Sequence, residues 1–323
     1  MTSPSSPSGK SVPRQVTVRA PGTVANIVCG YDVLGLALHR PFDEVSVALN
    51  DTGEVSLTVD GDRGMLPRDT EANVASAVIK RFLEQTGQTE IGAQVHLRKQ
   101  MPLNSGMGSS SASAVAALIA INHLTGNQFS RKELLPLATE GERIACGNAH
   151  ADNVAPALLG GVVLVRSHTP LDVKKLPCPD HLQVAVVHPH IDVPTRESRK
   201  ILKPRIPLPE AVTQWGNVAG LTAGFCTGDT ALIGRSMTDV IFEPVRSMLI
   251  PGFYDMKRIS QKCGALGFGI SGSGPSVFAL CESVETAEAI TAQLTEFLRK
   301  AGIDSDAFVS GINMNGAEVL SEG

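Results

Sequence analysis

Aromatic residues are scarce in this chain: they make up 4% of its 323 residues, and Trp215 is the only tryptophan. A core with few rings falls to Ala, Val, Leu and Ile, within an apolar fraction of 42% that excludes wholesale disorder. Long apolar runs are missing too: none reaches the roughly 18 residues that a membrane helix needs. Met1–Lys10 is a Ser/Pro-rich polar stretch with no hydrophobic segment behind it, so no secretory leader is expected. Basic excess is also absent, with 28 Lys and Arg against 32 Asp and Glu for a formal net charge of -4. That balance argues against a chain that tracks a nucleic-acid backbone. It leaves room for a single phosphate site, which needs only a few local donors. Cys29, Cys146, Cys178, Cys226, Cys263 and Cys281 include no close pair at metal-ligand spacing. A reduced, cytoplasmic protein is expected, large enough for two lobes.

What is present reads as an alternation of strands and helices. Val16–Ala20, Leu34–Leu38, Glu44–Leu49, Val55–Val59 and Ile91–Leu97 carry strand patterns, the third with Val45, Val47 and Leu49 on one face. Asn73–Gln85 has helical spacing and ends before Gly87. Ser109–Ser111 offers N-cap hydroxyls to a helix that stops near Gly126, and a second helix covers Arg131–Cys146. Val162–Arg166 reads as a strand, and Ser167–Asp180, polar and proline-rich, as a connection between domains. Beyond it come strands at Leu182–Val187, Val277–Cys281 and Phe308–Ile312, with helices near Trp215–Thr227, Thr230–Ser236 and Thr286–Ala301. The expectation is an α+β protein with a polar, flexible tail over 1–13, a first domain over 14–170 and a second over 171–323.

Two glycine runs carry chemistry. In Pro102-Leu103-Asn104-Ser105-Gly106-Met107-Gly108-Ser109-Ser110-Ser111, glycines let backbone N–H groups turn inward, and the following helix presents its positive end. This is not the common P-loop, since it has no lysine. A glycine-rich turn before an ordinary serine cap remains the plain alternative. Gly267–Gly274 resembles a dinucleotide fingerprint only superficially, because Pro275 and the strand-like Ser276–Leu280 follow where a helix is required. A second close-approach loop facing the first, or a glycine hairpin, fits better.

With these motifs in view, the chain resembles the homoserine kinase family of the GHMP superfamily (galactose, homoserine, mevalonate and phosphomevalonate kinases). Pro21–Leu38 resembles the amino-terminal motif, with Tyr31 where phenylalanine is usual and Val28-Cys29 where Gly-Pro is usual. Pro102–Ser111 resembles the phosphate loop, with Met107 in place of leucine and Ser111 in place of alanine; Gly267–Ser276 resembles the third motif. The stretch from His150 to Gly161 resembles the homoserine branch in particular. The likeness runs through nearly the whole chain from Val16. It implies an α+β, two-domain GHMP kinase fold, with an N-terminal ribosomal-protein-S5-like domain and a C-terminal ferredoxin-like domain. It also implies transfer of the ATP γ-phosphoryl group to L-homoserine, a step of threonine biosynthesis, in an enzyme that can form a homodimer.

The resemblance further implies residue roles. Loop residues Pro102 to Ser111 hold ATP; Ser110, with Ser109 as fallback, and Glu142 hold Mg2+. Asn26 and Asp32 take the amine and hydroxyl side of homoserine, and Arg199 and Arg246 clamp its carboxylate near Thr195. His150 completes the pocket, and Asn153 lies by the reacting hydroxyl. Taken singly, each has a plain reading as a turn cap, a satisfied polar group or a surface charge. No Asp–Lys pair is evident in the motifs, so positioning and magnesium are expected to carry catalysis. Mevalonate or another small alcohol is the nearest alternative acceptor, but mevalonate has no ammonium for Asp32. A non-catalytic nucleotide sensor would not need acceptor groups, and a nicotinamide oxidoreductase fails on the strand after Gly274.

Overall fold

The computed structural model describes residues 14–147, 151–193, 201–202 and 205–323. The expected tail over 1–13 lies outside them. The first of two sheets grows from a long hairpin, β1 (Gln15–Ala25) against β2 (Leu34–Asn50), with the two expected strands of β2 fused into one. β4 (Gly92–Arg98) runs antiparallel to β2, and β3 (Val55–Asp60) parallel to β4. Along β2, Asp43, Val45 and Val47 are buried while Glu44, Ser46 and Ala48 are half-buried, as the alternation predicts.

Four helices pack on this sheet and on one another: α1 (Val74–Thr86), α2 (Ser109–Leu124), α3 (Arg131–Cys146) and α4 (Ala151–Leu159). α2 is buried continuously from Ser111 to Asn122, which its run of alanines permits, because the sheet and the other three helices surround it. Gly141 of α3 leaves space for Val78 and Ala114, so α3 can lie close against α1 and α2.

β5 (Val162–His168) pairs with β2, and β6 (Leu171–Leu176) with β5. The stretch expected to connect domains therefore contains a strand, because Leu171 and Val173 alternate with polar residues and pack against the first core. A final strand absent from the sequence reading, β11 (Glu318–Glu322), returns to pair with β1. Both β6 and β11 follow residue 170 in sequence yet hydrogen-bond in the first sheet.

The second sheet is antiparallel, in the order β10 (Ser305–Gly311), β7 (Gln183–Pro189), β9 (Val277–Cys281), β8 (Gly267–Ile270), the ferredoxin-like arrangement. Three helices precede β8 at a distance: α5 (Leu208–Thr227), α6 (Thr230–Ser236) and the single turn α7 (Glu243–Arg246). α5 starts well before Trp215, with Pro209 in its first turn, where a missing N–H costs nothing. α8 (Phe253–Lys262) and α9 (Val284–Lys300) cover the sheet around Phe253, Phe268, Ile290 and Leu294. A middle cluster, including Leu36 and Leu38 of β2, Phe225 of α5 and Phe278 and Leu280 of β9, joins the two sheets.

His188 of β7 is buried behind the second glycine run, with Nδ1 3.1 Å from the Ser276 hydroxyl. Burial pushes its pKa down from 6.5 to about 4, with Asp306 opposing and His190 adding to the shift. An unfolded chain takes up that proton at a higher pH than the folded one, so acidification between those values favours unfolding. Going from pH 7.5 to 5 is expected to cost the wild type about 1–2 kcal/mol more stability than it costs His188→Asn. Urea midpoints at the two pH values check this; equal losses in both proteins would refute it.

Candidate active site

A cavity of about 340 Å³ opens where the two glycine runs meet, lined by Ser110, Glu142, Asn153, Asp32 and Arg246 among others. Contact between the runs is direct. The Ser271 hydroxyl donates to the Gly106 carbonyl at 2.9 Å, and the Ser276 N–H to the Ser105 carbonyl at 3.1 Å. Gly106 has φ of 78°, and a Cβ there would collide with the Ser271 carbonyl oxygen. The expected close-approach loop facing the phosphate loop is thus formed.

The serines do not cap α2. Its cap is Gly108, at φ 67° with no side-chain cap bond, so the hydroxyls are turned to other partners. Ser109 donates to Asp43 Oδ2 at 2.9 Å, Ser110 to Glu142 Oε2 at 3.2 Å, and Ser111 donates to the same Glu142 oxygen. No side chain therefore caps the backbone donors at the start of α2. Leu103, Asn104, Ser105, Gly106, Gly108, Ser109 and Ser110 line the cavity. Pro102, Met107 and Ser111 are not among its lining: Met107 and Ser111 are fully buried, Met107 in the middle core. Glu142 is 5% exposed, far from the solvent-facing glutamate that its charged sequence neighbourhood resembles.

On the opposite wall, Asn26 ties the amino-terminal motif to the second glycine run. Its Nδ2 donates to the Gly272 carbonyl at 2.8 Å, and its Oδ1 accepts the Asp32 N–H at 3.0 Å. Arg246 Nη1 reaches the same Gly272 carbonyl at 3.2 Å. Arg246 sits on α7, whose turn is nucleated by Asp239: its carboxylate accepts the N–H groups of Ile241, Phe242 and Glu243 at 2.9–3.0 Å. Behind it, burial raises the Glu243 carboxyl pKa, opposed by Lys257, whose Nζ lies 2.5 Å from Glu243 Oε1. On α4, Asn153 accepts from the Thr23 hydroxyl at 2.7 Å, which fixes its amide plane. His150, Thr195 and Arg199 lie outside the described residues.

Several lining residues escaped the sequence reading. Asp152 stands beside Asn153 on α4, and Met65, Leu66, Pro67 and Val74 form an apolar wall. Lys99 is the most informative. Its ammonium pairs with Asp43 and also donates to the Ser109 carbonyl at 3.0 Å and the Ser113 hydroxyl at 2.9 Å. An Asp–Lys pair therefore exists, although the motifs contain none. Asp43 is not a base facing substrate, because its oxygens also accept from the N–H groups of Gln100 (2.8 Å) and Met101 (3.0 Å). The pair clasps both ends of the phosphate loop.

Asp43 is fully buried and Lys99 nearly so, which makes each charge costly without the other. Asp43→Ala is expected to lose about 3–5 kcal/mol of stability, whereas Asp43→Leu combined with Lys99→Met loses markedly less. Denaturant midpoints of the single and double variants check this; a double variant as unstable as the single would contradict it.

Residues 73–161 match the family model for the GHMP kinases N terminal domain, and residues 221–300 that for the GHMP kinases C terminal. A homoserine kinase of Chloroherpeton thalassium is 48% identical over 318 residues, spanning 95% of this chain and 100% of its own. A homoserine kinase of Chlorobaculum tepidum is 48% identical over 320 residues, spanning 95% and 99%. The crystal structure of homoserine kinase from Cytophaga hutchinsonii superposes with a TM-score of 0.95 at 52% identity, covering 98% of this chain and 100% of that one. L. major mevalonate kinase, solved with R-mevalonate, shares the fold alone, at 16% identity and a TM-score of 0.72 over 94% and 98% of the two chains. With a fold, two glycine runs and a cavity that agree with these likenesses, the chain belongs to the homoserine kinase family of the GHMP kinases.

Proposed function

We propose that this protein phosphorylates L-homoserine at its hydroxyl with ATP, giving O-phospho-L-homoserine and ADP, a step of threonine biosynthesis. The observation that carries this reading is one cavity lined both by phosphate-loop donors with Glu142 and by Asn26, Asp32, Asn153 and Arg246. ATP would lay its phosphates along Gly106–Ser110 and its base against the apolar wall at Met65, Leu66, Pro67 and Val74. Glu142 Oε2 and Ser110 Oγ, 3.2 Å apart, are the hard oxygens that suit Mg2+, an ion that fills the rest of its shell from water and phosphate. When bound, the ion supplies charge neutralisation for the phosphates.

The remaining work is placement. In this reading Asp32 faces the ammonium of the acceptor and Arg246 its carboxylate. With Asn153 Oδ1 engaged by Thr23, its Nδ2 would be the group that donates to the reacting hydroxyl. Phosphoryl transfer through a loose transition state needs alignment and charge compensation more than a strong base, so this set of groups is sufficient. Mevalonate would leave Asp32 without an ammonium partner. A homodimer is proposed as well, with α5 as its face, because Leu208, Val212 and Trp215 are exposed at helical spacing.

ADP release with magnesium and ATP is expected to be at least about tenfold faster with homoserine than with serine, threonine, mevalonate or no acceptor, one decade corresponding to about 1.4 kcal/mol. Equal release with every acceptor would reject the assignment. Glu142→Ala is expected to lower kcat/KM by about 100-fold or more, given that metal stabilisation is worth several kcal/mol. Unchanged kinetics at limiting magnesium would remove Glu142 from the metal site. Sedimentation of Trp215→Glu tests the dimer face: a dimeric wild type and a monomeric variant are expected, and a variant that stays dimeric excludes this face.

A further inference from the structure

Tyr31 departs from the family pattern, and its surroundings give its hydroxyl a purpose. The ring is stacked on Phe242, with centroids 3.9 Å apart and planes at 17°. The Arg246 guanidinium lies over the same ring, 4.8 Å from its centroid. Arg246 Nη2 donates to the Tyr31 hydroxyl oxygen at 3.3 Å, while Nη1 donates to the Gly272 carbonyl at 3.2 Å. Tyr31 does not line the main cavity. It lines a small one of about 20 Å³ behind the arginine, and Arg246 lines both. Tyr31 thus acts through Arg246 rather than on a ligand.

A guanidinium binds a carboxylate best with two parallel N–H groups, so the orientation of its plane decides the strength of the clamp. The ring contact holds the guanidinium carbon near the ring without fixing the direction of its N–H groups. The Gly272 carbonyl and the Tyr31 hydroxyl, one on each terminal nitrogen, restrict that direction. Phenylalanine at position 31 would keep the stack and lose one acceptor. We propose that Tyr31 is a positioning residue that fixes the Arg246 fork for the carboxylate of the acceptor, and so favours α-amino-acid alcohols over alcohols lacking a carboxylate. The proposal rests on the reading of Arg246 as carboxylate clamp.

A double-mutant cycle with homoserine tests it, using Tyr31→Phe, Arg246→Ala and the pair. Tyr31→Phe is expected to raise KM for homoserine about 3- to 10-fold, the range of a single modest hydrogen bond. KM for ATP, kcat and the melting temperature should stay within about twofold or a degree or so of wild type, because the ring and its stack are kept. In the Arg246→Ala background the same substitution should have no further effect on kcat/KM. Additive losses in the cycle, or an unchanged KM in Tyr31→Phe, would overturn the role of Tyr31 while leaving the clamp intact. If Arg246→Ala itself leaves KM for homoserine unchanged, the clamp reading fails, and this separates the two failures. The inhibition constant of 3-aminopropan-1-ol, which keeps the amine and hydroxyl of homoserine without its carboxylate, should not change in Tyr31→Phe; a parallel loss would overturn the proposal.

Discussion

An ion pair withdrawn from water, Asp43 with Lys99, sets the geometry on which the phosphate loop depends. Charges taken into a protein interior are held only where several donors and acceptors satisfy them at once. Here Asp43 gathers Lys99, the Ser109 hydroxyl and the N–H groups of Gln100 and Met101, and Lys99 gathers the Ser109 carbonyl and the Ser113 hydroxyl. Entry to and exit from the loop are thereby fixed to one point on β2. The loop between them closes without a side-chain cap on α2, and the donors at that helix start face the cavity. The Lys99 ammonium at the cavity wall is already compensated by the Asp43 carboxylate.

Much of the fold was legible because burial on one face writes a period into the sequence. The alternation of Val45 and Val47 gave β2, and Asn73 and Gly87 mark the true caps of α1. Features set by tertiary contact were not legible. Asp43 and Lys99 are 56 residues apart and meet only because β2 and β4 pair antiparallel, with Glu44 opposite Arg98. β6 and β11 are short and carry charged residues, so their sheet membership depends on partners rather than on pattern. Serine ambiguity explains the misread start of α2: the same hydroxyl caps a helix or accepts a role elsewhere, and Gly108 in the left-handed region decided it.

In the site, the residue types were legible and their division of labour was not. Glycine and serine announce a phosphate loop, yet Met107 and Ser111 serve the interior of the protein. Ser111, where alanine is usual in the family, puts a second hydroxyl on Glu142. Asp152 and the apolar wall at Met65–Pro67 carry no local signature. They enter the cavity because α4 begins there and because the Asp62–Pro67 turn folds over it, held by Asn73 Nδ2 on the Pro67 carbonyl at 3.0 Å.

The wall opposite the glycine-serine loop is held by a different force. Asn26, Ile27 and Val28 have φ of 73°, 37° and 65°, and Asp32 has 58°. Left-handed conformations cost a residue with a Cβ about 1–2 kcal/mol, and branched side chains are poorly suited to them. Burying Ile27 and Val28, which are 0% and 5% exposed, returns about 1.5–3 kcal/mol for each side chain. At Ile27 and Val28 themselves, packing thus offsets a backbone strain of similar size. Gly269 is part of that packing, since a Cβ there would stand 2.8 Å from Val28 Cγ2. The glycine that belongs to the second run thus makes room for a valine at a position where the family usually has glycine. A buried ion pair fixes the side of this cavity at the start of α2, and close packing fixes the side opposite it.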